Sequence, residues 1–233
     1  MSDIHKVMSE GTLTVTGRLV DASNATLFGT IVDEDEEVRV IYKPIAGERP
    51  LWDFPDGNLA QREYAAFMVS EIGGWKLVPL TILRDGPFGR GMVQQWIDID
   101  EEVDLALFYR EDRPSLREMA LFDAVINNTD RKIGHLIPSP DGKLYGCDHG
   151  VTFHEEDKLR TVLWQWSSQE FSQDELQRLR NLREALLQDE ELFTSLITIG
   201  EFKALLARID RLIVEGAFPE PSDQWPAVPW PPF

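Results

Sequence analysis

The stretch NNTDRKIGHLIPSPDGKLYGCDHG, Asn127–Gly150, decides the fold. It holds two polar clusters, NNTDRKIGH and CDHG, on either side of a turn and a short strand. Pro140, Asp141 and Gly142 supply turn chemistry, so the chain doubles back and the ends of residues 131–147 meet. That return brings the loop acid Asp130 to the same cleft as Asp148. Two carboxylates placed this way suit phosphoryl transfer. One orients an attacking hydroxyl and accepts its proton, while the other holds Mg2+ against nucleotide phosphates.

Upstream of this hairpin the pattern is mainly extended. TLTVTGRLV alternates, LFGTIVD follows the polar turn DASNAT, and EVRVIYKP alternates again after the acidic turn DEDEE, which predicts three antiparallel strands over 12–43. LAQREYAAFMVSEIGG then has helical spacing and a Gly-Gly stop, with further extended segments at LVPLTIL and GRGMVQQWIDI. From Pro114 the pattern becomes helical, through SQDELQRLRNLREALL and EFKALLARIDRLIVEG, each with a capping-type start. The reading is α+β: an N-terminal nucleotide-binding lobe over 1–98, a mainly helical catalytic lobe over 99–216, and a Pro- and Trp-rich tail over 217–233. Trp225, Trp230 and Phe233 of that tail are too apolar for free solvation, so docking on the domain's own surface is expected, with a partner or second copy as the alternative.

With 42% hydrophobic residues over 233 positions, the chain can bury a real core. The net charge of -18 argues against nucleic acid and against stable association with an anionic membrane, because both are bound through Lys and Arg. A local basic pocket for a small anion is compatible with that total. A single cysteine, Cys147, rules out a disulfide framework, and no basic start with a long apolar run opens the chain, so a cytoplasmic location is expected.

NTDRKIGH and DHG resemble the catalytic loop, roughly N-x-D-R-x-x-x-N, and the Asp-x-Gly metal segment of the phosphatidylinositol 3/4-kinase superfamily. The likeness is to its small bacterial branch, near the type II phosphatidylinositol 4-kinases and HipA-type kinases. It covers about residues 12–170 and implies a two-lobed protein-kinase-like fold with ATP in the cleft. It implies Asp130 as the catalytic aspartate, Asp148 as the principal Mg2+ ligand, and Arg131 as the residue that fixes the loop by pairing with a nearby carboxylate. Lys43, ending the strand EVRVIYK, resembles the lysine on the α- and β-phosphates, and Glu63 the acid that steadies it. Ser23, Asn24 and Thr26 occupy the place of the phosphate-covering loop, although that turn is not glycine-rich. Gln94, Gln95, Trp96 and Ile97 lie where the lobes join and adenine would meet backbone.

The departure is His135, which stands where the family has a metal-binding asparagine. Imidazole matches Mg2+ poorly, so the readings are a single ion, a preference for Mn2+, weak phosphotransfer, or a histidine that only hydrogen-bonds within its loop.

The resulting expectation is an ATP-dependent phosphotransferase acting on a hydroxyl of a soluble protein or small molecule, since the acidic surface disfavours a phosphoinositide lipid. A nucleotide-binding pseudokinase or interaction module is the alternative. A metal hydrolase built from His135, Asp148, His149 and His154 is a weaker one, because the chain lacks H-E-x-x-H.

Overall fold

The acidic turn after Asp33 folds two alternating segments into a hairpin. In the computed structural model, which describes residues 3–19 and 24–233, β1 (Thr12–Arg18), β2 (Leu27–Asp33), β3 (Glu36–Pro44), β4 (Thr81–Gly86) and β5 (Gly89–Gln95) form one antiparallel sheet. Its order is β1-β2-β3-β5-β4. Ile31 pairs with Val38 and Tyr42 with Val93, and these side chains face a small core with Leu13, Val40 and Ile82. A helix that the sequence reading did not foresee, α1 (Ile4–Glu10), closes this core with Val7 and Met8. At seven residues it is too short to display a period, but Asp3 caps it by accepting the His5 N–H at 3.1 Å.

The helix α2 (Leu59–Ile72) is the hinge of the architecture. The Asn58 side chain accepts the Gln61 N–H, and the Glu48 carboxylate accepts those of Leu59 and Ala60, all at 2.8 Å. Three of the four orphan donors at its start are thereby satisfied, and the acid suits the positive end of the helix dipole. Ala65, Ala66 and Val69 pack into the main core, whereas Arg62 and Glu63 on the same helix are buried charges that must find partners.

Five further helices follow: α3 (Leu105–Phe108), α4 (Pro114–Ile126), α5 (Gln173–Gln188), α6 (Glu190–Leu196) and α7 (Ile199–Glu215). Proline at the first position starts α4, and Asn127 ends it in the left-handed region. Leu116, Phe122, Leu182, Phe193, Leu205 and Ile209 come from four of these helices and share one core. Full burial of each such side chain stabilises by roughly 1.5–3 kcal/mol. β6 (Leu136–Pro138) and β7 (Leu144–Gly146) form the predicted hairpin. The α+β reading, with an antiparallel N-terminal sheet plus helix and a mainly helical C-terminal lobe, therefore holds.

Arg62 pins α2 to the helical lobe. Its Nη2 donates to Glu201 Oε1 at 2.6 Å, while Glu201 also closes a capping box with Thr198 at the start of α7. The tail docks by its backbone. Ala227 O accepts the Thr161 N–H at 3.0 Å and the Trp164 indole N–H at 2.8 Å, and Pro232 O accepts the Ile133 N–H at 2.8 Å. Of the three tail aromatics only Trp225 turns inward; Trp230 is 86% exposed and Phe233 62%. No helix among the described residues is long and apolar enough to cross a membrane.

Candidate active site

Lys43 stands at the centre of the site because β3 delivers it to the cleft and two acids meet it there. Its ammonium donates to Glu63 Oε1 at 2.5 Å and to Asp148 Oδ1 at 2.8 Å. Burial alone would lower the Lys43 pKa, but the charges of Asp148 and Glu63 overcome it and hold the amine cationic well above its usual range. Glu63 is buried on α2, which pushes its pKa up against the pull of Lys43. Its second oxygen accepts the His149 N–H at 3.0 Å, so one carboxylate joins β3, α2 and the DHG segment. Asp148 has a depressed pKa, first through the Lys43 charge. It adopts φ 60°, a left-handed conformation that Asp tolerates. At the neighbouring Gly150 a Cβ would lie 3.1 Å from the Leu59 Cβ, so glycine lets α2 approach the segment closely.

Asp130 lines the same cavity, of about 300 Å³, as Lys43, Glu63 and Asp148. The hairpin has brought the two acids together. Desolvation raises the Asp130 pKa, partly offset by the Lys132 ammonium 3.3 Å away. The loop that carries it is held from below. Arg131 is fully buried and donates to both oxygens of Asp123 on α4, at 2.8–3.2 Å, and to Cys147 O at 3.2 Å. Its Nη2 lies 2.7 Å from His149 Nε2. Burial, then the Arg131 charge, keeps that histidine neutral. Asn128 adds a side-chain bond to Asp123 at 2.9 Å and accepts the Asp130 N–H at 3.0 Å.

His135 Nε2 is 3.6 Å from Asp148 Oδ2, and its Nδ1 is 3.5 Å from the Lys132 N–H. Burial lowers its pKa to about 4, so the ring is neutral at pH 7. Burial also pushes the Cys147 thiol up to about 12, so it supplies no thiolate. The donors beside Lys43 are thus one ionised carboxylate with a free oxygen and one neutral imidazole. That set fits a divalent cation carried chiefly by phosphate oxygens, and the imidazole favours Mn2+ over Mg2+.

The other sequence-derived residues are more dispersed. Asn24 lines the cavity and accepts the Arg49 N–H at 2.9 Å. Thr26 is buried, with its carbonyl accepting the Leu19 N–H, and Ser23 lies outside the described residues. Gln94, Gln95, Trp96 and Ile97 are not among the cavity walls. The Gln95 and Trp96 N–H groups already donate to Leu80 O and Arg39 O, the Gln94 side chain is bonded to Thr81, and the Trp96 ring packs edge-on against Phe28. His135, Asp148, His149 and His154 do not converge: His149 faces Arg131 and His154 lies against Phe54. Among the described residues no three His, Cys, Asp or Glu side chains form a metal-ligand set. The residues that sequence reasoning missed are Asp123, Lys132, Arg49 and Arg160. Only Asp123 left a trace, as an acid within the apolar run LFDAVI.

No protein-family model matches the chain. In structure it is similar to the Golgi casein kinase with Mn/ADP bound, with TM-score 0.56 and 12% identity over 92% of this chain and 76% of that one. A further crystal structure of the Golgi casein kinase gives TM-score 0.51 and 11% identity over 92% and 75%. The fold is therefore kinase-like. In sequence the chain is 40% identical to Protein Rv2133c of Mycobacterium tuberculosis (strain ATCC 25618 / H37Rv), over 99% of this chain and 96% of that protein. It belongs to the family of that protein.

Proposed function

We propose that the chain is an ATP-dependent phosphotransferase that moves the γ-phosphoryl group to a hydroxyl of a soluble acceptor, and that it is an outlying member of the phosphatidylinositol 3/4-kinase superfamily. One observation carries this reading: a lysine held between Glu63 and Asp148 in the wall of a cavity that Asp130 also lines. ATP would lie between an N-terminal lobe over 1–98 and a catalytic lobe over 99–216, in the cytoplasm as the single cysteine favours.

Lys43 would neutralise phosphate charge, and Glu63 keeps its ammonium in position. Asp148, with His135 beside it, would hold the divalent cation, which when bound offsets negative charge on the phosphates. Asp130 orients the acceptor hydroxyl and takes its proton; its raised pKa makes it a better base than an exposed aspartate. The acceptor oxygen forms a bond to the γ-phosphorus as the bond to the bridging oxygen breaks, and ADP leaves. Lys132, 3.3 Å from Asp130, would hold positive charge beside the base. Arg131 acts as a positioning residue through Asp123. Adenine recognition by the 94–97 strip falls to Ile97 and the carbonyls, since the Gln95 and Trp96 N–H groups are engaged in the sheet.

The test is incubation with γ-labelled ATP and Mn2+ or Mg2+, following label transfer or phosphate release. Asp130→Asn should lower turnover about 10²- to 10⁴-fold while leaving ADP bound. If wild type binds nucleotide but transfers no label and releases no phosphate, with D130N indistinguishable from it, the chain is a nucleotide-binding pseudokinase.

A further inference from the structure

Arg160 also lines the cavity, and the mechanism above gives it no task. Its backbone is fastened to the loop that carries Asp130: its N–H donates to Asn128 O at 2.9 Å and its carbonyl accepts the Arg131 N–H at 3.1 Å. The backbone that carries the guanidinium therefore keeps a fixed relation to the loop that carries the base. Its Nε is buried and, among the described residues, has no hydrogen-bond partner. This happens in a chain with 41 acids and 23 basic residues. The nearest acid on its own segment, Asp157, is taken by Arg208 at 3.0 Å and Arg211 at 2.7 Å. Arg49, from the loop after β3, is a second arginine in the wall and makes no ion pair among the described residues. Of the acids in the same wall, Glu48 is used by α2, Glu63 and Asp148 by Lys43, and Asp130 by Lys132, with the Arg160 charge also acting on it; Asp53 makes no ion pair among the described residues.

We infer that Arg160, assisted by Arg49, binds an anionic group of the phosphate acceptor, so that the acceptor is a small soluble hydroxyl compound carrying a phosphate or carboxylate. This deepens the phosphotransferase reading and rests on it. The planar guanidinium fork matches two oxygens of such a group, and an oxygen at Nε would satisfy the orphaned donor. Arg160 belongs with Asp130 on the helical side of the cavity, whereas Lys43 serves the nucleotide from the sheet side. A small acceptor is favoured because Lys158 stands between two indoles, 4.4 Å from the Trp225 ring centre and 5.5 Å from that of Trp52. That contact ties the 51–54 loop to the segment leading to Arg160, two stretches that both line the cavity, and leaves less room for a protein chain.

The experiment saturates the chain with a non-hydrolysable ATP analogue and Mn2+, so that the γ-phosphate position is filled, and then adds glycerol 3-phosphate or glycerate, with glycerol as the neutral control. Both anions should raise the melting temperature of wild type and glycerol should not. Arg160→Gln should weaken the anion response roughly 10- to 100-fold, and much more than it weakens binding of the analogue. Arg49→Gln, whose side chain has no part in the backbone clamp, should weaken the anion response less and covers the case in which R160Q misfolds. Equal stabilisation by glycerol, no response to either anion, an undiminished response in both variants, or a parallel loss of analogue binding in R160Q would each overturn the inference. Vesicles of phosphatidylinositol form a separate arm; binding to them but not to the free anions would move the anion to a lipid headgroup and overturn a soluble acceptor. Repeating the titration without nucleotide separates the two readings: anion binding in a chain that takes no ATP analogue would refute phosphotransfer and leave the anion site standing.

Discussion

Asp123 and Arg131 form an ion pair with no solvent exposure on either side chain, Nη2 to Oδ1 at 2.8 Å, and the loop bearing Asp130 rests on it. Replacing Asp123 by Ala would leave a buried guanidinium uncompensated, with a cost of about 3–5 kcal/mol. The expected outcome in urea unfolding is a loss of unfolding free energy of that size, with loss of turnover in whatever folds. A loss under about 1 kcal/mol would mean that Arg131 is held by its carbonyl contacts alone.

Lys43→Met should raise the Michaelis constant for ATP and lower turnover by about 10²- to 10³-fold, because it removes the cation that meets phosphate. Glu63→Gln should lose less, since the ammonium keeps Asp148 as a partner at 2.8 Å. Steady-state kinetics of the pair checks the order; E63Q losing more than K43M contradicts the assigned roles.

His135→Asn replaces an imidazole 3.6 Å from Asp148 with an amide whose carbonyl oxygen is a harder donor. The ratio of Mg2+-supported to Mn2+-supported turnover should rise several-fold. An unchanged ratio would confine His135 to hydrogen bonding within its loop.

Deleting residues 221–233 removes the carbonyls that accept the Ile133, Thr161 and Trp164 donors. Amide exchange at Ile133 and Thr161 should accelerate strongly while exchange in α5 and α7 stays slow. Turnover should fall, because those amides flank Asp130 and Arg160. Unchanged exchange at both positions would show that the tail is not what protects them.

Acid stability follows from Glu175, whose pKa is lowered: burial acts to raise it, but Arg117, with bonds of 2.8 and 2.9 Å, and the Ser172 N–H at 2.7 Å together outweigh burial. A depressed folded-state value means that the contribution is complete above the unfolded glutamate value, near 4.3, and is lost as pH falls through the folded value. Glu175→Gln should therefore be less stable than wild type at pH 7 and draw level in acid. Denaturant midpoints at both ends of that range test the sign.

Much of the site was legible because local chemistry wrote it. A Pro-Asp-Gly turn returns Asp148 to Asp130, an alternating strand ends in Lys43, and Glu63 falls one turn into a capped helix. What stayed hidden was pairing between distant residues. Arg62 with Glu201, Arg131 with Asp123 and the tail carbonyls with Thr161 have no period and no fixed spacing, so nothing in the string marks them. At the 94–97 strip the limit was of another kind. Position beside the lobe junction was readable, but which N–H groups the neighbouring strand would consume was not. The tail was half legible: hydrophobicity foretold docking, yet carbonyl oxygens rather than Trp230 or Phe233 make the contact.

The two indoles around Lys158 also give the molecule an optical property. Trp52 rides with the sheet lobe and Trp225 with the tail, so any relative displacement of those parts changes the distance from each ring to the ammonium. Tryptophan emission of the unlabelled protein would therefore report such a displacement, and a Trp52→Phe variant tells that signal apart from the remaining five tryptophans outside the sandwich.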